Sequence, residues 1–115
     1  MQYLLMICGE EAGNELSAGS DEVAIMEEYG KFAAEMGERG ILRGGERLQS
    51  VADATTVRVR DGEVLTTDGP FAETKEQIGG YFVVDCKDLD EVIEVAAKIP
   101  GARYGSVEVR PIWAM

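Results

Sequence analysis

The sequence predicts an α+β fold, a ferredoxin-like sandwich in which two helices cover one face of an antiparallel sheet. The predicted elements run strand, helix, two or three strands, helix, strand, and both helices are amphipathic. A β-hairpin is inserted into that plan. Because the 115 residues contain no linker and no internal repeat, residues 1–115 are expected to form a single domain.

The first part of the chain predicts one buried strand and one long helix. Residues 2–8 form a short apolar run before a glycine, which is typical of a buried strand. Over residues 21–38 apolar side chains recur at steps of three and four, the period of an α-helix. Ser20 suits the N-cap of this helix and Gly40 suits its end. The predicted inner stripe is Met26, Tyr29, Ala33 and Met36, widened by Val23, Ile25 and Phe32.

The strongest hairpin signal lies at residues 55–66. Valines alternate there with arginines, and Asp61-Gly62 supplies a two-residue turn. The turn imposes a strand register in which opposite charges face each other and apolar side chains face each other. These favourable pairs support the predicted register independently of the turn. The predicted pairs are Arg60 with Glu63 and Val59 with Val64.

The second helix is predicted between two further strands. Residues 78–86 are continuously apolar in part and therefore predict a central strand. Asp88 is the predicted N-cap, with Glu91 three residues later as in a capping box, and Pro100-Gly101 ends the helix. The predicted inner face comprises Leu89, Val92, Ile93, Ala96 and Ile99.

Two strands are predicted to be irregular. Residues 41–48 predict a strand that is bent or bulged at Gly44-Gly45. Residues 106–113 alternate apolar and charged side chains, and Pro111 places that end of the strand near a sheet edge or a bulge.

One face of the predicted sheet is left without helices. Such a face must carry charge or meet a partner, and self-association about a two-fold axis is the commonest solution. We therefore expect a homodimer whose sheets face each other as a dimeric α/β barrel around a central cavity. A small organic ligand is the expected occupant of that cavity.

The charge balance argues against some partners. Eleven Lys and Arg stand against 22 Asp and Glu, a net charge of −11. A field of this sign repels phosphate, so neither nucleic acid nor an anionic membrane is expected as a partner. No apolar run approaches the length of a membrane span.

Cysteine and histidine usage limits the chemistry. Cys8 and Cys86 lie in apolar runs and are expected to be buried, reduced thiols. With no signal peptide predicted, the cytoplasm is the expected location. The sequence contains no histidine, so a Ser-His-Asp triad or a His-based zinc site cannot form within one chain. No metal and no cofactor is expected.

The turn Asp68-Gly69-Pro70-Phe71 is the most informative motif. As a purely structural turn, Asp68 would accept hydrogen bonds from backbone amides, Gly69 would adopt unusual dihedral angles and Pro70 would fix the exit. Alternatively Asp68 faces a cavity as an acid or base. Phe71 would then form a wall of the pocket, although core packing is the commoner role of such a residue.

Charged and small residues near this turn are further candidates. Lys75 could hold a carboxylate or enolate oxygen while Glu73 moves a proton, or both could simply lie in a solvated loop. Gly79 marks either a bulge or the close approach of backbone or ligand, and Tyr81 could donate a hydrogen bond. Arg43 could bind a planar anionic group or pair with one of the many acids.

The motif from Asp68 to Phe71, continued by residues 73–76 and by Gly79-Gly80-Tyr81, resembles the YCII-related proteins of the DGPF subgroup. Residues 85–112 resemble the same family. The resemblance implies a ferredoxin-like fold paired as a dimeric α/β barrel, usually in bacteria, within a superfamily that includes small monooxygenases, isomerases and dehydrochlorinases. Genes of the subgroup often lie near extracytoplasmic sigma factors. Other relatives carry a His-Asp pair in the cleft, which this sequence cannot supply because it has no histidine.

Two functions remain open. The first is binding of a small molecule in the cleft, with cofactor-independent proton-transfer or lyase-type chemistry if the protein is an enzyme. In that case Asp68 would be the acid or base, Lys75 or Arg43 the electrostatic partner and Tyr81 the hydrogen-bond donor. The second is a non-catalytic interaction or sensing module linked to transcriptional stress signalling.

Overall fold

The computed structural model describes residues 1–10 and 22–114 and contains two helices and two antiparallel sheets over that range. The larger sheet has the strand order β2-β5-β1-β6, and β3 pairs with β4 in a separate two-stranded sheet. The mixed α+β prediction is confirmed, and the strand order is consistent with the ferredoxin-like plan. The strands are β1 (Gln2–Gly9), β2 (Leu42–Arg47), β3 (Thr55–Arg60), β4 (Glu63–Asp68), β5 (Gln77–Asp85) and β6 (Ser106–Pro111). The helices are α1 (Glu22–Glu38) and α2 (Leu89–Ala97).

The core lies between the two helices and one face of the larger sheet. Tyr3 and Leu5 of β1 are buried there, and Val84 of β5 lies opposite Tyr3. Since residues paired across antiparallel strands share a face, these side chains define the side that the helices cover. Both helices contribute fully buried residues to this one cluster, namely Met36 from α1 and Val92 and Val95 from α2.

The inner face of α1 differs from the predicted stripe. Ile25, Phe32 and Met36 are buried, but Val23 is 71% exposed and Met26 is 42% exposed. At about 100° per residue, positions 25, 32 and 36 lie within about 40° of one another around the helix and form the centre of the buried face. Val23 lies about 160° from Ile25, nearly on the opposite side, and Met26 lies about 100° away at the margin. The predicted N-cap, residue 20, lies outside the described residues.

The predicted inner face of α2 is also partly wrong. Val92, Ala96 and Ile99 are buried as expected, but Leu89 and Ile93 are more than half exposed. Val95, which is absent from the predicted face, is fully buried instead. The apolar residues of α2 cover a wider part of the helix surface than the sheet can bury. The hydrophobic periodicity therefore does not decide whether the helix is rotated to bury Leu89 and Ile93 or to bury Val95.

The start of α2 agrees with the predicted cap. The Asp88 carboxylate accepts a hydrogen bond from the Glu91 N–H at 2.9 Å, which satisfies one of the unpaired donors of the first turn. Glu91 Oε1 in turn accepts from the Lys87 N–H at 2.9 Å, one residue earlier than in a standard capping box.

The β3–β4 hairpin has the predicted register. Arg60 lies opposite Glu63 and Val59 lies opposite Val64. The two turn residues both have positive φ, 53° at Asp61 and 77° at Gly62. Asp and Gly tolerate this left-handed conformation better than other residues, so Asp61-Gly62 fixes the turn and, through it, the pairing.

The remaining strand predictions are confirmed. The register of β2 shifts between Leu42 and Gly44, which is the predicted irregularity at the glycines. β5 lies between β2 and β1 as a central strand, and β6 is an edge strand that ends at Pro111.

The second face of the larger sheet carries a patch of half-buried apolar residues that neither helix covers. Leu4 pairs with Val83 and Met6 pairs with Tyr81, so these four side chains lie side by side opposite the core. We call Leu4, Met6, Tyr81 and Val83 the open-face patch. On the β6 side it is bordered by Glu108 and Arg110, which form an ion pair with each other.

In the described part of the chain, α1 and α2 are both too short or too polar to cross a lipid bilayer.

Candidate functional site

A cavity of about 560 Å³ opens at the end of the sheet where β1 finishes and β5 begins. Its walls come from the last residues of β1, the first two turns of α1, the end of β2 and the first half of β5. The segment Gly101–Gly105, which begins within the short 3-10 turn Pro100–Arg103, closes the remaining side. Residues that are distant in the sequence therefore meet around one space.

Glycines allow the closing segment to approach the sheet. A Cβ atom on Gly105 would lie 2.1 Å from the Cys8 carbonyl oxygen, and one on Gly101 would lie 2.6 Å from Cγ2 of Ile7. At Gly105 the clash would be with backbone atoms, so this position requires glycine for close backbone packing. At Gly101 the nearest atoms belong to the side chains of Ile7 and Tyr29, which pack directly against its backbone.

An aromatic wall separates the cavity from the core. The Tyr29 and Phe82 rings are stacked with centroids 6.5 Å apart, and the centroid of the Phe32 ring lies 4.9 Å from that of Phe82. The Tyr29 hydroxyl accepts a hydrogen bond from the Gly101 N–H at 3.1 Å, which ties α1 to the closing segment. Burial raises the pKa of Tyr29 above its ordinary value, so its hydroxyl stays protonated at neutral pH.

Two of the described arginines line the cavity, and both are paired with acids of α1. Arg47 Nη2 lies 3.5 Å from Glu22 Oε1, and the Arg103 guanidinium is bonded to the Glu28 carboxylate. Arg103 also lies over the Tyr104 ring, 5.5 Å from its centroid.

Within residues 1–10 and 22–114, four glutamates line the same cavity: Glu10, Glu22, Glu46 and Glu76. Glu10 Oε1 lies 3.5 Å from the Lys75 ammonium, and Glu76 Oε2 accepts a hydrogen bond from the Ser106 hydroxyl at 3.0 Å. Burial, and to a lesser extent the negative charges of Glu108 and Glu76, raises the pKa of the Cys8 thiol, so it is not an activated nucleophile.

Two of the predicted site residues line this cavity, namely Gly79 and Tyr81. The pairing of β1 with β5 is irregular between Ile7 and Cys8, whose partners Gly80 and Ile78 leave Gly79 without a partner residue in β1. The bulge explanation for Gly79 is therefore confirmed. No protein atom lies within 4 Å of where its Cβ would be, so close backbone packing is excluded there, and the approach of a ligand stays a prediction. Tyr81 lies where the cavity meets the open-face patch.

Arg43 lies at the opposite end of the sheet. Its Nη2 atom is 3.5 Å from Asp85 Oδ2, and its Nη1 donates to the Gly40 carbonyl at 2.7 Å. The same Asp85 accepts from the N-terminal ammonium of Met1 at 3.0 Å, which lowers the pKa of this carboxyl group. This arrangement agrees with the alternative that Arg43 pairs with an acid of the chain.

The turn that contains Asp68 is bound to the start of the hairpin. Gly69 has φ 98°, and its N–H donates to the Ala54 carbonyl at 2.7 Å. The Thr56 hydroxyl donates to the Gly69 carbonyl at 2.8 Å. Asp68 is exposed, Pro70 is half-buried, and neither lines the cavity of its own protomer.

The prediction that Phe71 packs in the core is wrong, since its side chain is 77% exposed. The contact given for Phe71 is through its backbone, since the Arg58 guanidinium donates to the Phe71 carbonyl at 3.4 Å. An exposed phenylalanine at this position is available to a partner or a ligand from outside the protomer.

Glu73 and Lys75 belong to an exposed turn between the hairpin and β5. The Thr74 hydroxyl donates to the Glu76 carbonyl, and the Gln77 amide donates to the Thr74 carbonyl, both at 2.6 Å. The Lys75 side chain is 86% exposed and reaches the cavity only through Glu10 at its rim.

Tyr29, Phe82, Arg103 and the glycines of the closing segment are site residues that the sequence did not reveal. The helical period places Tyr29 in the inner stripe of α1, and Phe82 belongs to an apolar strand without any feature that marks it out. Gly101 and Gly105 could have been predicted as site residues from the sequence, because two glycines just after a helix indicate close packing against a neighbouring element.

The YCII-related domain model matches residues 1–115, the whole chain. The chain belongs to the YCII-related family. It is also 33% identical over 114 residues to an uncharacterized protein of Rhizobium meliloti, and the match covers 97% of this chain and 92% of that protein. The match to the family spans both the cavity and the open-face patch.

Proposed function

We propose that this YCII-related protein binds a small organic molecule in the cavity between α1, the sheet and the Gly101–Gly105 segment. The observation that carries the proposal is the cavity itself, since about 560 Å³ lies within the range of natural ligand sites. Its wall combines the Tyr29 and Phe82 rings with a few charged groups, which is the usual composition of a small-molecule site.

We further propose that the protein functions as a homodimer, with the open-face patches of two copies packed together as a dimeric α/β barrel. A two-fold axis would let one patch bury another. Tyr81 lies where the patch meets the cavity, so a second copy would also narrow the mouth of the ligand site. Membership of the DGPF subgroup is part of the same proposal.

If the bound molecule reacts, cofactor-independent proton transfer or lyase-type chemistry suits the available groups. Tyr81 would donate a hydrogen bond, and Lys75 would act beside Glu10 at the cavity rim. Asp68, with its neighbours Gly69, Pro70, Phe71 and Glu73, does not line the cavity of its own protomer. Their assignment as site residues therefore requires that they act on a site shared with the second copy.

Filling the cavity should remove binding without loss of stability. A Cβ atom on Gly79 would meet no protein atom within 4 Å, so Gly79→Leu adds a bulky side chain beside open space. We expect the affinity for any cavity ligand to fall at least about tenfold, because the leucine would occupy volume that the ligand needs. Ligand-observed NMR with a library of small aromatic compounds would supply ligands and report their affinities.

Gly37→Leu is the matched control. A Cβ atom on Gly37 would likewise meet no protein atom within 4 Å, but Gly37 lies in α1 and borders neither the cavity nor the open-face patch. Equal affinities in the two variants would mean that the ligands bind elsewhere, and the proposed function would then be wrong.

A second candidate function is favoured by the surface of the hairpin. Val57, Val59 and Val64 are each at least 59% exposed, and together they form an apolar strip on one face of the hairpin. An exposed strip of this kind suits an interaction or sensing module that docks a protein, and the charge of −11 favours a basic partner. Binding of such a partner should weaken steeply with salt, and a salt-insensitive interaction would contradict this candidate.

A further inference from the structure

We infer that the ligand of the cavity is an organic cation, an amine or quaternary ammonium group carried on an apolar body. The inference rests on the proposed function and adds the charge of the molecule that is bound. Three features of the cavity lead to it: its arginines are already neutralised, its acids are in excess, and its rings attract cations.

The two cavity arginines already have acidic partners. Arg47 is held by Glu22 at 3.5 Å, and Arg103 is bonded to Glu28. A carboxylate or phosphate ligand would therefore share its arginine with a glutamate of α1 or displace that glutamate. Sharing brings two negative charges together and displacement replaces one exposed ion pair by another, so either gains little free energy.

The acids of the cavity exceed its cations. Among the residues that the structure describes, four glutamates and two arginines line it, a formal charge of −2 before a ligand enters. Within residues 1–10 and 22–114, no lysine or arginine lies within ion-pair distance of Glu46 or Glu76. The net charge of the whole chain, −11, adds a long-range attraction for cations that approach the mouth.

The aromatic rings supply the second part of a cation site. The faces of tyrosine and phenylalanine rings carry negative potential and attract ammonium and guanidinium groups. Arg103 already lies over the Tyr104 ring at 5.5 Å, an instance of this attraction at the cavity wall. Glu46 lies directly opposite Tyr81 in the β2–β5 pair, and both residues border the cavity.

Three probes of similar size and different charge test the inference. We expect the cation 2-phenylethylamine to bind about tenfold more tightly than neutral 2-phenylethanol at low salt, with the anion 3-phenylpropionate weakest. Protein-observed NMR at pH 7 gives the affinities, and shifts of the Gly101 and Gly105 amides show that the probe is in the cavity.

Charge variants locate the interaction. Glu46→Gln and Glu76→Gln should each lower the affinity for 2-phenylethylamine about three- to fivefold and leave that for 2-phenylethanol unchanged. Glu63→Gln is the matched control, because it changes the net charge by the same amount from the hairpin, away from the cavity. An equal loss in all three variants would overturn the inference, since the effect would then arise from the overall charge.

The probes also separate this inference from the proposed function. Tighter or equal binding of 3-phenylpropionate in the cavity would overturn the cation inference and leave small-molecule binding intact. If none of the three probes shifts the cavity amides even at millimolar concentration, both the inference and the proposed function fail.

Discussion

Gly105→Ala should destabilise this protein by about 3 kcal/mol, a large effect for the addition of one methyl group. The added Cβ would lie 2.1 Å from the Cys8 carbonyl oxygen and 3.0 Å from the Gly9 Cα. These are backbone atoms at the end of β1, so they cannot move aside as the tip of a flexible side chain could. Thermal unfolding should show a midpoint lowered by roughly 10 °C or more.

Gly37→Ala provides the comparison for this prediction. Gly37 lies within α1, and a Cβ there would meet nothing within 4 Å. Because alanine favours the helix over glycine, this variant should be more stable by about 0.5–1 kcal/mol. If both variants unfold at the temperature of the unchanged protein, the close approach of the Gly101–Gly105 segment to β1 is wrong, and so is the cavity wall that it forms.

Met6→Glu should dissociate the proposed homodimer. Met6 lies in the centre of the open-face patch beside Tyr81 and Leu4, so a dimer would bury an unpaired carboxylate there. We expect the dimer dissociation constant to rise at least about a hundredfold, since an uncompensated buried charge costs several kcal/mol. Sedimentation equilibrium from nanomolar to micromolar concentration measures this change.

The single protomer should still fold, because Met6 is not part of the core cluster that the helices cover. Val23→Glu is the matched control: it also replaces an apolar residue by glutamate, but on an exposed position of α1 outside the patch. A Met6→Glu protein that remains as dimeric as the control would mean that the patch is not the interface. A monomeric unchanged protein would exclude the barrel altogether.

Local chemistry determines those parts of the fold that could be predicted from the sequence. Asp61-Gly62 specifies its own turn and hence the hairpin register, and Asp88 specifies the start of α2. The rotation of each helix is less predictable, because apolar residues such as Val23 and Ile93 widen the stripe beyond what one sheet covers. Only tertiary contacts select which part of a wide stripe is buried.

The candidate site could be predicted only in part, because it is assembled from residues that are distant in the sequence. Gly79 and Tyr81 could be found because glycines within a strand are unusual. Tyr29 and Arg103 carry no local signal, since their roles depend on a hydrogen bond to Gly101 and an ion pair with Glu28 across 72 and 75 positions of the chain. The turn at Asp68 is the most recognisable motif in the sequence because aspartate, glycine and proline together favour a specific backbone turn. Such a motif can be explained by the turn alone, so it does not by itself indicate a functional site.

A crystal structure of the protein soaked with a bound fragment from the NMR library is the sharpest test of the proposed ligand site. We expect electron density for the fragment against the Tyr29 and Phe82 rings, between α1 and the Gly101–Gly105 segment. A structure in which side chains fill this space, or in which the fragment lies only on the protein surface, would contradict small-molecule binding in the cavity.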